Sequence, residues 1–365
     1  MEEEMVLLSS SFHGSLFLIA LVFLSSSPPT EGGGTATGSS LSSPPLPSSV
    51  CRAASRHRCY NKQESTRLKI IAIFAILATS MIGVCLPLFT RSIPAVHPDR
   101  DLFSVVKSFA SGVILATGYM HVLPDSFDDL RSPCLPRRPW HKFPFTTFVA
   151  MLSAVVTLMV DSFVMSMFKR RNELADLKLS TTMEKGASNG DLEKPVGYHD
   201  DEQSALLRHR VVAQVLELGI VVHSVVIGLS MGASMNPCTI RPLVAAICFH
   251  QLFEGMGLGG CILQADYKRR MKATLVFFFS ITTPSGIALG MGLSKVYRDN
   301  SPTSLIVEGL LNASSAGLLN YMALVELLAA DFMGPKLQDR PKLQMWAYLA
   351  VLLGAGGMSV MAIWA

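Results

Sequence analysis

Residues 250–260 read HQLFEGMGLGG, and they place His250 and Glu254 four positions apart inside a run from 241 to 264 that is otherwise apolar enough to be buried in lipid. A separation of four is slightly more than one helical turn, so the two titratable groups share one face of a helix. A charge at the centre of a bilayer costs about 2.5–3.5 kcal/mol on insertion scales, and such residues normally face a bundle interior or a water-filled path. The stretch therefore predicts a buried membrane helix with a polar function.

The rest of the chain agrees with a polytopic membrane protein. Half of the 365 residues are hydrophobic and 16% are charged, where soluble domains carry about 25% charge; the mean hydropathy is +0.39. Eight runs are long enough to span: 69–90, 102–124, 145–168, 211–233, 241–264, 273–294, 303–327 and 343–364. The expected fold class is all-α, with transmembrane helices one to three over 69–168 and four to eight over 210–365. The net charge of +4 supports no nucleic-acid partner, because in such a chain the placement of Lys and Arg matters more than their sum.

Before the first span, SLFLIALVFLSSS at 15–27 has the length of a secretory h-region, so residues 1–27 read as a signal peptide despite the acidic Glu2, Glu3 and Glu4. Residues 28–68 begin PPTEGGGTATGSS and are expected to be an extracellular disordered segment. Cys51 and Cys59 in it could pair as a disulfide, with Cys134 also on the oxidising side. Lys268, Arg269, Arg270 and Lys272 between spans five and six, with Lys336, Arg340 and Lys342 between seven and eight, put those connections in the cytosol and both termini outside. Residues 169–209 are expected to be a variable cytosolic loop; His199, Asp200, Asp201, Glu202 and His209 in it read better as solvated charge than as a metal site.

Polar residues inside the spans narrow the chemistry. His223 lies near the middle of span four, and two facing helices would bring it against His250 and Glu254. Two imidazoles and a carboxylate suit zinc, iron(II), cobalt or nickel better than calcium or magnesium. Three protein ligands leave an ion free to depart, which fits a transport site better than a closed structural one. Gly228, Gly232, Gly255, Gly259 and Gly260 provide small residues through which helices can approach. His121, Asp125 and Asp128, with Asp129, are placed at the outer mouth, the pathway entrance; Asp161, Glu326 and Asp331 are placed along the interior or exit.

HSVVIGLSMGAS in span four and HQLFEGMGLGGCIL in span five closely resemble the signature spans of the plant branch of the ZIP family of zinc- and iron-regulated transporter-like proteins. GVILATGYMHVLPDSF, LLNASSAGLLNYMALVELLAADFMGPKLQ and GGMSVMAIWA also resemble that branch, so the likeness covers about residues 51–365 apart from the long loop. The resemblance implies a three, two, three arrangement, with spans one to three and six to eight as inverted repeats about four and five. It also implies that metal ligands fall on His223, His250 and Glu254, with Ser224 and Gln251 beside them. Ile227 one turn beyond His223, and Thr283 before the span-six Pro284, argue for one principal ion. Only His199 and His209 stand in a loop that is often histidine-rich in the family.

The expected function is secondary transport of divalent transition metal ions, zinc or iron(II) first and manganese or cadmium next, into the cytosol. The ion is transiently bound cargo and no resident cofactor is expected. The plasma membrane is the expected location, with an endomembrane as the alternative; the bilayer and metal ions are the expected partners, and a homodimer is left open. No G-x-x-x-x-G-K-[ST] loop supports a P-loop engine. An intramembrane zinc hydrolase using the same residues is the alternative, but it lacks an H-E-x-x-H helix.

Overall fold

In the computed structural model, residues 61–90, 101–184, 197–293 and 302–363 are described. Among them, eight helices are long and apolar enough to cross a membrane. They are α1 (Lys62–Thr90); α2, which runs from Asp101–Thr117 through a π-helical turn at Gly118–Val122 to Leu123–Leu130; α3 (Phe145–Glu184); α4 (Gly197–Ala233); α5 (Pro237–Gln264); α6 (Arg269–Leu293); α7, which runs from Pro302–Tyr321 through π-helical Met322–Ala329 to Ala330–Phe332; and α8 (Pro341–Met361). In a bilayer a helix satisfies every backbone polar group internally, so apolar runs of this length take that form.

All eight expected spans are present, with shifted ends. The first helix begins at Lys62, inside the segment expected to be disordered up to residue 68. The third continues past 168 to Glu184 and the fourth begins at Gly197, so helical backbone enters the expected loop from both sides. NELADLKLSTTME, at 172–184, has no Gly or Pro, and most of its residues are good helix formers, Leu and Glu foremost, which favour helix even where the charge is high. The expected signal peptide, Cys51 and Cys59 lie outside the described residues.

Burial sorts the helices. In α4 and α5, 78% and 72% of the apolar window is buried inside the protein, against 11% in α3 and 28% in α8, so the first pair forms the centre and the second pair faces outward. Large apolar side chains exposed on the outer helices, such as Phe74, Met159, Phe163, Trp346 and Leu352, are what a lipid-facing surface requires.

The packing has an internal symmetry. The principal pairs are α1 with α5, α4 with α6, α2 with α8 and α3 with α7. Exchanging one with six, two with seven, three with eight and four with five maps this pattern onto itself, including the α2–α5 and α4–α7 contacts. The two π-helical turns, in α2 and α7, obey the same exchange. This is the signature of the inverted repeat implied by the resemblance. It divides the molecule into one bundle of α1, α4, α5 and α6 and another of α2, α3, α7 and α8.

The glycines bring helices together as expected, and the contacts identify the partners. A Cβ at Gly232 would lie 2.8 Å from the Cα of Gly290, and one at Gly228 3.0 Å from the Cα of Gly286, so this face of α4 grips α6. A Cβ at Gly255 would lie 2.8 Å from the backbone nitrogen of Val84, so the corresponding face of α5 grips α1. Gly228 and Gly232 of α4 thus pack on α6, and Gly255 and Gly259 of α5 on α1.

Cys134, after α2, and Cys238, in the first turn of α5, are disulfide-bonded and mark one end of the bundle. An ion pair of Arg241 with Glu64 places the start of α1 at this disulfide end. The basic connections after α5 and α7 lie at the other end, where Arg340 pairs with Asp101 at 2.8 Å and so places the start of α2.

Candidate metal centre

His223 stands midway along the membrane part of α4, and His250 and Glu254 midway along α5; all are buried. The rings of His223 and His250 lie 5.8 Å apart, centroid to centroid. A third imidazole joins them. His121 is 6.0 Å from His223 and 5.8 Å from His250, so the three rings form a nearly equilateral triangle. His121 comes from the π-helical turn of α2, a wider turn often found at functional sites because it shifts the face that a helix presents. Asn320 of α7 packs at Gly118 so closely that a Cβ there would come within 3.0 Å of its Cγ, which fixes the turn against the neighbouring helix.

The polar atoms of the centre are buried and without hydrogen bonds. Both ring nitrogens of His223 and of His250, Nε2 of His121, both carboxyl oxygens of Glu254, the Ser224 hydroxyl and the Gln251 amide nitrogen make none. Buried polar groups are ordinarily satisfied, at a cost of about 1–3 kcal/mol each when they are not. With zinc-to-nitrogen bonds near 2.0–2.1 Å, two imidazoles on one tetrahedral ion have centroids about 5 Å apart. Among the described residues no three His, Cys, Asp or Glu are drawn close enough to hold an ion as they stand. The triangle is wider than a closed site by about 1 Å on each side, a distance that side-chain rotation covers. Ile227, one turn beyond His223, packs in an apolar cluster with Ala72, Ile76, Met231, Ile247 and Ile287, and supplies no ligand there.

The expected entrance residues divide. His121 is not at the mouth: it is buried against His223 and His250. The expected span ended at 124, whereas α2 continues to Leu130 across the π turn, so His121 lies deeper than its position near DSFDD suggested. Asp125 is half-exposed, with its Oδ2 3.8 Å from Nδ1 of His121, and Asp128 is exposed.

At the basic end, the expected exit residues are engaged by partners that the sequence did not reveal. Glu326 is buried, with Nε of Arg208 at 3.4 Å, and Asp161 accepts a hydrogen bond from the Tyr321 hydroxyl at 3.3 Å. Asp331 pairs with the buried Lys107 at 2.8 Å, and Lys107 also donates to Gln264 Oε1 at 3.2 Å. Glu217 in α4 and Glu308 in α7 are two more buried acids that the sequence reading passed over, although each stands within an apolar span. His209 is partly buried in α4, and the side chains of His199, Asp200, Asp201 and Glu202 lie outside the described ones.

Three buried imidazoles brought together from helices of two pseudo-symmetric bundles fit a multi-pass protein of the transporter class, in which ligand sites lie between repeats. The chain belongs to the ZIP zinc transporter family, whose model matches residues 66–362. It is 61% identical over 341 residues to Fe(2+) transport protein 1 of Oryza sativa subsp. japonica, covering 86% of this chain and 88% of the relative. It is 58% identical over 331 residues to probable zinc transporter 10 of Arabidopsis thaliana, covering 86% and 91%. It is 56% identical over 332 residues to zinc transporter 7 of the same plant, covering 87% and 91%.

Proposed function

We propose that the chain carries zinc or iron(II) across its membrane into the cytosol, through a centre built from His223, His250 and Glu254 together with His121. The observation that carries this reading is the triangle of buried imidazoles whose nitrogens have no hydrogen-bond partner. Nitrogen donors with one carboxylate favour zinc, iron(II) and their neighbours over calcium and magnesium. Ser224 and Gln251 flank the centre, and a single principal ion fits the apolar setting of Ile227. The relatives named for iron(II) and for zinc support the same substrate class.

The two ends give the orientation, which supports the inward direction. Disulfides belong to oxidising compartments and basic connections to the cytosol, so Cys134 and Cys238 face outward and Lys268–Lys272 inward. An ion then enters past Asp125 and leaves past Glu326 and Asp331, once the basic-end pairs have opened. The orientation suits the plasma membrane, and equally an endomembrane with its lumen on the disulfide side.

The test is flux of radiolabelled zinc and iron(II) into liposomes containing only this protein. His223→Ala is expected to reduce uptake to background while the protein remains in the membrane. Full uptake by that variant refutes the assignment, and absence of flux in the unaltered chain refutes the transport reading itself.

A further inference from the structure

The connection from α5 to α6, residues 265–268, is fastened to α4 more firmly than a solvent loop requires. Tyr267 is buried, and its hydroxyl donates to the Arg210 carbonyl at 2.7 Å. Arg210 answers from α4: its Nε donates to the Ala265 carbonyl at 3.1 Å, and its guanidinium lies 5.7 Å from the centroid of the Tyr267 ring. Between the two, Asp266 takes a left-handed φ of 42°, a conformation that few residues other than glycine adopt. The backbone therefore reverses sharply and in one fixed way.

What this turn presents is charge. Lys268, Arg269 and Arg270 follow one another and are all exposed, with Lys272 half-buried just beyond them. Asp266 is the one acid between Glu254 and Asp299, and it lies 3.9 Å from Lys272. Arg269 and Arg270 pair with no carboxylate among the described residues. Past the cations the surface becomes apolar. Ala273 and Phe277 follow Arg270 at three and seven positions along one face of α6, and Phe277 is 59% exposed. A charged rim above an exposed aromatic ring, on a helix that crosses the membrane, matches a phospholipid end to end; a soluble anion would meet the rim alone.

We propose that Lys268, Arg269 and Arg270, with Phe277 beyond them, bind the headgroup and upper acyl chain of an anionic phospholipid of the cytosolic leaflet. The proposal rests on the orientation given above, which puts this end in the cytosol. Lys and Arg clustered at the cytosolic end of a membrane helix attract anionic headgroups, and the attraction rises with each cation. A loose basic loop would gather such lipids diffusely, whereas a fixed turn holds its cations in one register and retains a single molecule. Through α4, α5 and α6 the turn belongs to the bundle that carries His223, His250 and Glu254, so the lipid ties that bundle to the leaflet.

The test is native mass spectrometry of the purified full-length protein in detergent, titrated with phosphatidylserine or with phosphatidylcholine of the same chains. Phosphatidylserine is expected to add one tightly held molecule, and phosphatidylcholine none at the same concentration. Replacing Lys268, Arg269 and Arg270 with Gln is expected to weaken it about fivefold for each cation removed. Lys268→Arg with Arg269→Lys and Arg270→Lys retains it. Arg137→Gln, Arg138→Gln and Lys142→Gln, which remove equal charge from exposed positions at the disulfide end, leave it unchanged. Phe277→Ser weakens phosphatidylserine but not glycerophosphoserine, the headgroup without chains. Equal phosphatidylserine affinity in the unaltered chain and the Gln variant overturns the proposal. So does an equal loss in the disulfide-end variant, which shows net charge alone, or glycerophosphoserine binding as tightly as the lipid, which shows an anion site. No metal enters this measurement, so its failure is distinct from failure of the flux test, and the orientation is judged separately by the side from which Cys134 and Cys238 are reached.

Discussion

Replacing Lys107 with Met tests how the basic end is held shut. Lys107 is buried, carried by α2, paired with Asp331 of α7 at 2.8 Å and donating to Gln264 in the last turn of α5 at 3.2 Å. The link to Gln264 crosses from one bundle to the other. A hydrogen bond from a charged donor is worth about 1.5–3 kcal/mol, and the length of this one puts it at the lower end. Losing about 1.4 kcal/mol raises the open fraction about tenfold. Cys261, one turn before Gln264, is a free cysteine with 2% exposure, so it reports opening at this end. With Cys85 and Cys248 replaced by Ser, its labelling by a thiol reagent follows the open population when closing outpaces reaction. Lys107→Met is expected to speed labelling about tenfold. Gln264→Leu removes the same bond, so the double variant should gain no more than either single one. A change below about twofold in Lys107→Met, or additive effects in the double variant, refutes the clamp.

Further outcomes follow from other contacts. Gly290→Val should destabilise the protein by about 1–3 kcal/mol in thermal unfolding, because a Cβ there already lies 2.9 Å from the Cα of Gly232. Gly292→Ala, with nothing within 4 Å, should leave the transition in place. Cys134 and Cys238 should react with a membrane-impermeant thiol reagent added outside cells only after reduction; reaction from the cytosolic side alone reverses the orientation. His121→Ala should weaken cobalt(II) binding at the centre by about tenfold or more and change its visible spectrum; an unaltered spectrum removes His121 from the ligand set.

How much could be read before the structure depended on whether the signal was local. Spans are runs of apolar residues, so all eight were legible, and His250 with Glu254 was legible because helical periodicity links positions four apart. His223 was found from its central position in a span. His121 was misplaced because Pro124 and the acids after it look like the end of a helix, whereas the proline stands in the first turn of a continuing segment after the π turn. The π turn leaves no pattern in GYMHV that hydropathy detects. The partners of Asp331 and Glu326 lie more than a hundred residues away and belong to other helices, so no spacing rule points to Lys107 or Arg208. Glu308 was overlooked although the rule that an acid within a span needs a reason applied to it.

The division into bundles gives the centre a mechanical character. His223, His250 and Glu254 belong to the bundle of α1, α4, α5 and α6, whereas His121 belongs to that of α2, α3, α7 and α8. The cross-links at the basic end, Lys107 to Gln264 and Arg208 to Glu326, also join one bundle to the other. A rigid shift of the first bundle would carry three donors together and leave the fourth behind. It would at the same time strain the two basic-end links, which are local and few. The glycine contacts of α4 with α6 and of α5 with α1 lie within the first bundle, so they keep its donors in register during such a shift. An ion held by all four groups would resist the movement, because it binds the bundles to each other; one held by His223, His250 and Glu254 alone would travel with them. On the proposed transport reading, release of His121 would be the step that commits the cargo to one side of the membrane.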